Sequence, residues 1–383
     1  MKIGIPTEIT TDETRVSVTP EVVSKIITPS IEVLVQANAG KDAYESDQNY
    51  VDAGARIIDD PKTLFQESDM VLKVQPPIEN KELGVHEVNL MRNGATLISF
   101  MQPLVNHDLV QRCLDQNITS FSMDAIPRIA RAQKCDALTS MSSLSGYKAV
   151  LIAADTMGRL LPLMMTAAGT YAPAKGLILG AGVAGLQALA TGRRLGAMMF
   201  GYDVRPVVKE QVQSLGAIFL EAENLSDDVE DSGGYARELS KESQDRQRRM
   251  LEDRIKEMDF VITTALIPGR PAPTLITNEM VSSMRSGSVI VDIAAETGGN
   301  CEATIPGSVV EKDGVTIHGP INIPASLPIH ASNMYARNIS SLLEEIIVDE
   351  KINLNFDDEI VGGSCITHEG SIIHEVTRQT FKG

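Results

Sequence analysis

The sequence predicts an α/β protein of two doubly wound domains built on parallel sheets, with a cleft between them. Three observations carry that expectation. Short apolar or β-branched runs alternate with helical stretches over residues 1–125, the pattern of a sheet with crossover helices. A second alternation is organised around a glycine-rich unit, Gly176 to Asp203, that reads strand, turn, helix, strand. The chain has 383 residues, 43% hydrophobic and 22% charged, which is enough for two soluble cores of ordinary size.

In order along the chain, strands are expected at Lys2–Pro6, Ile31–Gln36, Met70–Gln75, Ala95–Phe100 and Ile118–Met123. Thr19 reads as the N-cap of the first helix, with Pro20 at its first position. This half carries no glycine fingerprint, so a nucleotide site is expected elsewhere. A polar segment, Pro127–Ser145, comes next. A helix is then expected from about Gly146 to Met165, with Tyr147, Val150, Leu151, Ala154, Met157 and Leu161 as its core-facing stripe.

In the central unit, Gly180, Gly182 and Gly185 form G-x-G-x-x-G between the apolar run Gly176–Leu179 and the helix formers of Ala184–Leu195. Each glycine has a physical purpose. Gly180 permits the tight turn, Gly182 lets the amides around Val183 and Ala184 approach a pyrophosphate, and Gly185 lets helix and strand pack closely. The motif alone, in a chain with 29 glycines, is also compatible with a plain structural turn. A second strand, Ala197–Tyr202, delivers Asp203, followed by Val204 and Arg205. An acid there accepts hydrogen bonds from an adenosine ribose and repels a 2′-phosphate, which favours NAD(H) over NADP(H); Arg205 softens that preference.

A further helix and strand occupy Lys209–Leu220, and an acidic, glycine-ended segment, Glu221–Gly234, precedes Tyr235. The charge run Arg237–Glu257 reads as a solvated helix face. Strands follow at Phe260–Thr263 and Ser288–Asp292. Thr264, Ala265 and Leu266 stand just past the first of these, where a parallel sheet places its ligand; the alternative there is a Pro-Gly turn. A last helix, Ser332–Val348, returns the chain to the first domain. The expected domains are therefore residues 1–138 with 331–383, and residues 139–330.

A net charge of −17 excludes a nucleic-acid partner, because a phosphate backbone repels it. The opening MKIGIPTEIT has no apolar signal region, and the apolar stretch Leu160–Ala168 is interrupted by Pro162 and too short to span a bilayer. Cys113, Cys135, Cys301 and Cys365 are widely spaced, which predicts four reduced thiols of a cytoplasmic protein and no metal site.

With the segments RIARAQKCDALTS, GAGVAGLQA, TTALIPGRPAP and GSVIVDIAAETGGNCE in this order, nearly the whole chain resembles the NAD(H)-binding domain I of the proton-translocating NAD(P) transhydrogenases. It is similar, more distantly, to alanine dehydrogenase, which shares the opening MKIGIPTE and TRVSVTP. The resemblance implies two Rossmann-like domains. It also implies that Arg128, Gln133 and Asp136, with Thr139, hold the nicotinamide end of NAD(H), and that Gly234 and Tyr235 belong to a mobile loop closing over the nucleotide. NADP(H) is then held by a partner subunit, a further subunit spans the membrane, and this chain is a homodimer lying on the inner face of the cytoplasmic membrane through those partners.

The alanine dehydrogenase alternative meets a chemical objection. Oxidising an amine requires a group that moves a proton, and that family's His and Asp correspond here to Phe100 and Glu296; its basic substrate-binding residues are matched by Arg15 and Lys73. Hydride exchange between two nicotinamides needs positioning and exclusion of water, and no proton carrier.

Overall fold

The computed structural model describes residues 1–221, 240–267 and 269–381. The chain divides into two compact units, Met1–Met141 with Pro324–Gly383, and Ser142–Ile323.

In the first unit, six strands are parallel: β1 (Lys2–Ile5), β2 (Glu32–Gln36), β3 (Arg56–Ile58), β4 (Met70–Leu72), β5 (Thr96–Ser99) and β6 (Thr119–Ser122). They lie in the order β6-β5-β4-β1-β2-β3. Beyond β6 the returning chain adds Cys365–His368 and then Ser371–Ile372, both antiparallel to their neighbours. The sheet is therefore mixed at one edge rather than wholly parallel, because a short hairpin can close an edge that a crossover helix cannot reach. β3, RII, was not expected: three residues show no alternation. Thr19 does stand before the helix Pro20–Ile26, but its side chain makes no capping bond; its carbonyl takes the amides of Val22 and Val23 instead. The helix Pro328–Ile346 starts four positions earlier than expected, at a proline suited to a first helical turn. It buries Ala331, Tyr335, Ile339, Leu342 and Ile346 along one stripe.

The second unit holds β7 (Lys175–Leu179), β8 (Met198–Tyr202), β9 (Ile218–Phe219), β10 (Phe260–Thr263), β11 (Val289–Asp292), β12 (Val309–Lys312) and β13 (Val315–His318). Their order is β9-β8-β7-β10-β11-β13-β12, and only β12 runs antiparallel. The chain winds outward from β7 to β9 and then crosses to begin again at β10, so the switch point lies between β7 and β10.

Two helices bear on the site. α1 (Ala137–Thr156) begins nine residues before Gly146, and α2 (Val183–Arg194) follows the glycine turn. The segment expected to stay irregular to Ser145 is helical from Ala137 because Asp136 caps it, accepting the Thr139 amide at 2.8 Å. α1 ends at Thr156, just ahead of Gly158, and residues Met164–Thr166 and Gly169–Tyr171 form a small antiparallel hairpin in place of the expected last helical turns. Ala149, Val150, Ala153 and Met157 face the core, whereas Tyr147 is exposed. The charged helix Lys241–Ile255 presents one buried row, Ser243, Gln247, Leu251 and Ile255, at intervals of four; the other face is mainly solvated.

Candidate functional site

Strand register assembles the glycine site. Leu179 of β7 pairs with Tyr202 of β8 and with Thr263 of β10, and Thr263 pairs with Asp292 of β11. The residues immediately past this row, Gly180, Asp203 and Thr264, therefore emerge together at the carboxyl edge of the sheet. Sequence positions far apart become neighbours because three parallel strands end level.

Gly180 has φ +100°, a left-handed conformation that glycine alone adopts without strain. Thr264 braces it: the Thr264 hydroxyl donates to the Gly180 carbonyl at 2.9 Å, and the Thr264 amide donates to Leu179. Gly185 lies so close to the turn that a Cβ there would come 1.8 Å from the Gly180 carbonyl oxygen. Gly182 is the N-cap of α2 and supplies no side-chain cap, so the first-turn amides of Val183 and Ala184 point outward from the helix end. This is a cradle for an anion in which a side chain at 182 would stand in the way.

Asp203 is buried, 7% exposed. Its Oδ2 accepts the Ala181 amide at 2.7 Å and Arg205 Nη2 at 2.8 Å; its Oδ1 accepts the Arg205 amide and Nε, both at 2.9 Å. Val204 is half-buried and packs against the core of its unit. Ala265 is locked by Asn300, whose side chain takes the Ala265 amide at 3.0 Å and returns a bond to its carbonyl at 2.9 Å, while Leu266 is exposed.

Two residues that sequence reasoning missed organise this edge. Asp292 is fully buried. Its carboxylate accepts from the Thr263 and Thr304 hydroxyls and from the amides of Ala294, Asn300 and Cys301, all between 2.7 and 3.1 Å. Asn300, also fully buried, ties the loop after β11 to Ala265 and Pro273. The available signal was an acid ending a strand ahead of a Gly-Gly pair.

In the first unit, Arg128, Gln133, Asp136 and Thr139 share one segment: a 3-10 helix, Ala130–Cys135, followed by the start of α1. Arg128, Gln133 and Thr139 are exposed, and Asp136 is half-buried with both carboxylate oxygens on Thr139. Gly234 and Tyr235 lie outside the described residues.

The positions that bear on amine oxidation are differently engaged. Phe100 stacks on Tyr335 with ring centroids 5.1 Å apart, and the Tyr335 hydroxyl donates to the Lys73 carbonyl. The Lys73 ammonium, 1% exposed, donates to Glu8 and Glu87 at 3.0 Å each. Burial alone would lower the Lys73 pKa, but those two carboxylates outweigh it and hold it raised. Arg15 forks onto Glu13, and burial of Glu13 is outweighed by that bond, which lowers its pKa. In the second unit Glu296 accepts the Asn322 amide. The four cysteines are buried and unpaired with one another, and burial pushes the Cys113 and Cys365 thiols up to about 12. No helix among the described residues is long and apolar enough to cross a membrane.

Comparison with known proteins agrees along the whole chain. Residues 4–145 match the family described as "Alanine dehydrogenase/PNT, N-terminal domain", and residues 149–375 match "Alanine dehydrogenase/PNT, C-terminal domain". The chain is 43% identical over 377 residues to the first of the polypeptides that make up NAD(P) transhydrogenase subunit alpha in Rhodospirillum rubrum, covering 98% of each. To alanine dehydrogenase of Staphylococcus epidermidis it is 30% identical over 336 residues, covering 86% of this chain and 82% of that one. The crystal structure of a transhydrogenase from Sinorhizobium meliloti superposes with a TM-score of 0.84 at 41% identity, covering 97% of this chain and 100% of that one. With both of its halves matched, the chain belongs to the alanine dehydrogenase/PNT family.

Proposed function

We propose that this chain is the NAD(H)-binding alpha subunit of a proton-translocating NAD(P) transhydrogenase, passing hydride between NADH and NADP+ held by a partner subunit. The observation that carries the reading is the level ending of β7, β8 and β10. It sets an open anion cradle and a buried acid side by side at the switch point of the sheet. In this reading the amides following Gly182 hold the pyrophosphate, Asp203 with Val204 and Arg205 meets the adenosine ribose, and Thr264, Ala265 and Leu266 line the same edge. Arg128, Gln133, Asp136 and Thr139 serve the nicotinamide end, with the Gln133 amide suited to a carboxamide.

Hydride moves between two C4 atoms, so the reaction asks the protein for alignment and dryness rather than for a proton. The stacking of Phe100, which can neither donate nor accept a proton, and the ion-paired state of Lys73 both favour this reading over amino-acid oxidation. NADP(H) on the partner, a membrane-spanning subunit, a homodimer of this chain and attachment to the inner face of the cytoplasmic membrane complete the proposal.

The experiment is absorbance-monitored hydride transfer from NADH to an NADP+ analogue, with and without a transhydrogenase NADP-binding component, beside a sample given pyruvate and ammonia alone. Turnover only with the partner component supports the proposal; turnover with pyruvate and ammonia overturns it. In the same assay Gln133→Ala should slow hydride transfer far more than it weakens NADH binding. Unchanged turnover in that variant would remove Gln133 from the site.

A further inference from the structure

The Asp203 carboxylate has a fixed number of acceptor positions, and the structure fills them. Two go to backbone amides, Ala181 on Oδ2 and Arg205 on Oδ1, and these belong to the turn itself. One position per oxygen remains. Both are taken by the Arg205 guanidinium, Nε on Oδ1 at 2.9 Å and Nη2 on Oδ2 at 2.8 Å. A guanidinium fork meets a carboxylate with two parallel donors a little over two ångströms apart. The vicinal hydroxyls of a ribose present two donors at nearly the same spacing.

The arginine also covers what it binds. The side chains of Asp203 and Arg205 are 5% and 15% exposed, so the carboxylate is reached only past the guanidinium. Its Nη2 lies 3.9 Å from where a Cβ on Gly182 would stand, so the same side chain overhangs the cradle.

We infer that Arg205 is an internal occupant of the adenosine-ribose position, which an incoming ribose diol must displace from Asp203, and that this exchange sets the affinity and the nucleotide preference of the site. The inference rests on the NAD(H) reading of this edge. Displacement explains how a buried, fully bonded acid can serve as a ribose acceptor: two charge-assisted bonds are exchanged for two hydroxyl bonds while the amide bonds persist. The binding-competent form is the one with Arg205 withdrawn, and the observed dissociation constant is raised by the reciprocal of that form's population. The exchange also gives discrimination. A ribose bearing a 2′-phosphate offers one hydroxyl and adds a negative charge, so it cannot replace the fork and gains nothing when Asp203 is uncovered.

The test is calorimetric titration of the purified chain and its Arg205→Ala and Arg205→Lys variants with NADH and with NADPH, each variant first checked for a wild-type circular-dichroism spectrum and thermal midpoint. If the paired form holds about nine molecules in ten, Arg205→Ala binds NADH about tenfold more tightly. NADPH binding does not tighten, so the preference for NADH widens. Arg205→Lys falls between, since an ammonium meets one oxygen and cannot form the fork. Weaker or unchanged NADH binding in folded Arg205→Ala overturns the inference and makes Arg205 a holder of nucleotide. Absence of NADH binding in both wild type and variants overturns the nucleotide reading itself, and the inference with it.

Discussion

Gly146 offers a sharp test of how rigidly the cradle is held. It lies in the middle of α1, and a Cβ there would come 2.0 Å from the Ala184 carbonyl oxygen and 2.8 Å from the Ala184 carbonyl carbon, both backbone atoms of the first turn of α2. Ordinary contact begins near 3.4 Å, so Gly146→Ala must part the two helices by about 1.4 Å or tilt one of them. The stability change is modest, because two effects oppose. Alanine is the better helix former by about 1 kcal/mol, and overpacking costs about 1–3 kcal/mol. The net loss is about 0–2 kcal/mol. Binding is affected more. A displacement of that size carries the amides of Val183 and Ala184 beyond hydrogen-bond reach of a phosphate, and one charge-assisted bond is worth about 1.5 kcal/mol or more. The predicted consequence is at least about a tenfold rise in the dissociation constant for NADH, read by calorimetry. Gly158→Ala is the matched control, since nothing lies within 4 Å of its Cβ position; its NADH affinity should equal that of the wild type. A Gly146→Ala chain that keeps wild-type affinity would refute the argument, because the end of α2 would then not set the phosphate position.

Two further expectations concern stability. Asp292→Ala leaves the amides of Ala294, Asn300 and Cys301 and two threonine hydroxyls without their acceptor in a buried place, and should lower the unfolding free energy by at least about 3 kcal/mol in urea titration. Asp292→Asn should cost less because one carbonyl oxygen remains, and a loss below about 1 kcal/mol in the alanine variant would contradict the assigned role. Acid should also destabilise the fold through its histidines. Burial lowers the pKa of His86, His318 and His374 below the ordinary 6.5, so near that pH the unfolded chain binds more protons than the folded one. Stability therefore rises with pH through that window, and it is lost as pH falls below 6.5 through the folded-state values. His374 Nδ1 also caps the helix Glu375–Thr380 by accepting from the Thr377 amide. His374→Asn, which keeps a cap without titrating, should show a smaller drop in thermal midpoint between pH 7.5 and 5.5 than the wild type; an equal drop would clear His374 of the effect.

The sequence by itself determined the α/β class and the placement of most of the long elements. Strand runs such as Phe260–Thr263 are continuous and apolar because both faces are covered, and the glycine spacing around Gly180 is demanded by local backbone geometry. Such signals act within a few residues, so they survive in a linear reading. Short pieces did not. β3, the hairpin Met164–Tyr171 and the pair β12 and β13 span too few residues to show a period, and their pairing energy comes from neighbours. The helical start at Ala137 was hidden for a related reason: Asp136 looked like a loop acid until its bond to Thr139 showed it to be a cap.

What only the tertiary structure decided is the state of each charged group. The sequence presents Asp203, Arg205, Lys73 and Asp292 as four ionisable residues. The fold makes the first two a mutual pair, the third the centre of a buried carboxylate cluster, and the fourth the clasp of two loops. Gly146 likewise acquires its constraint from Ala184, which reaches it from the first turn of another helix. Propensity is a property of a residue and its near neighbours, whereas charge pairing and close packing depend on which distant residues the level strand ends and crossing helices bring within about 3–4 Å.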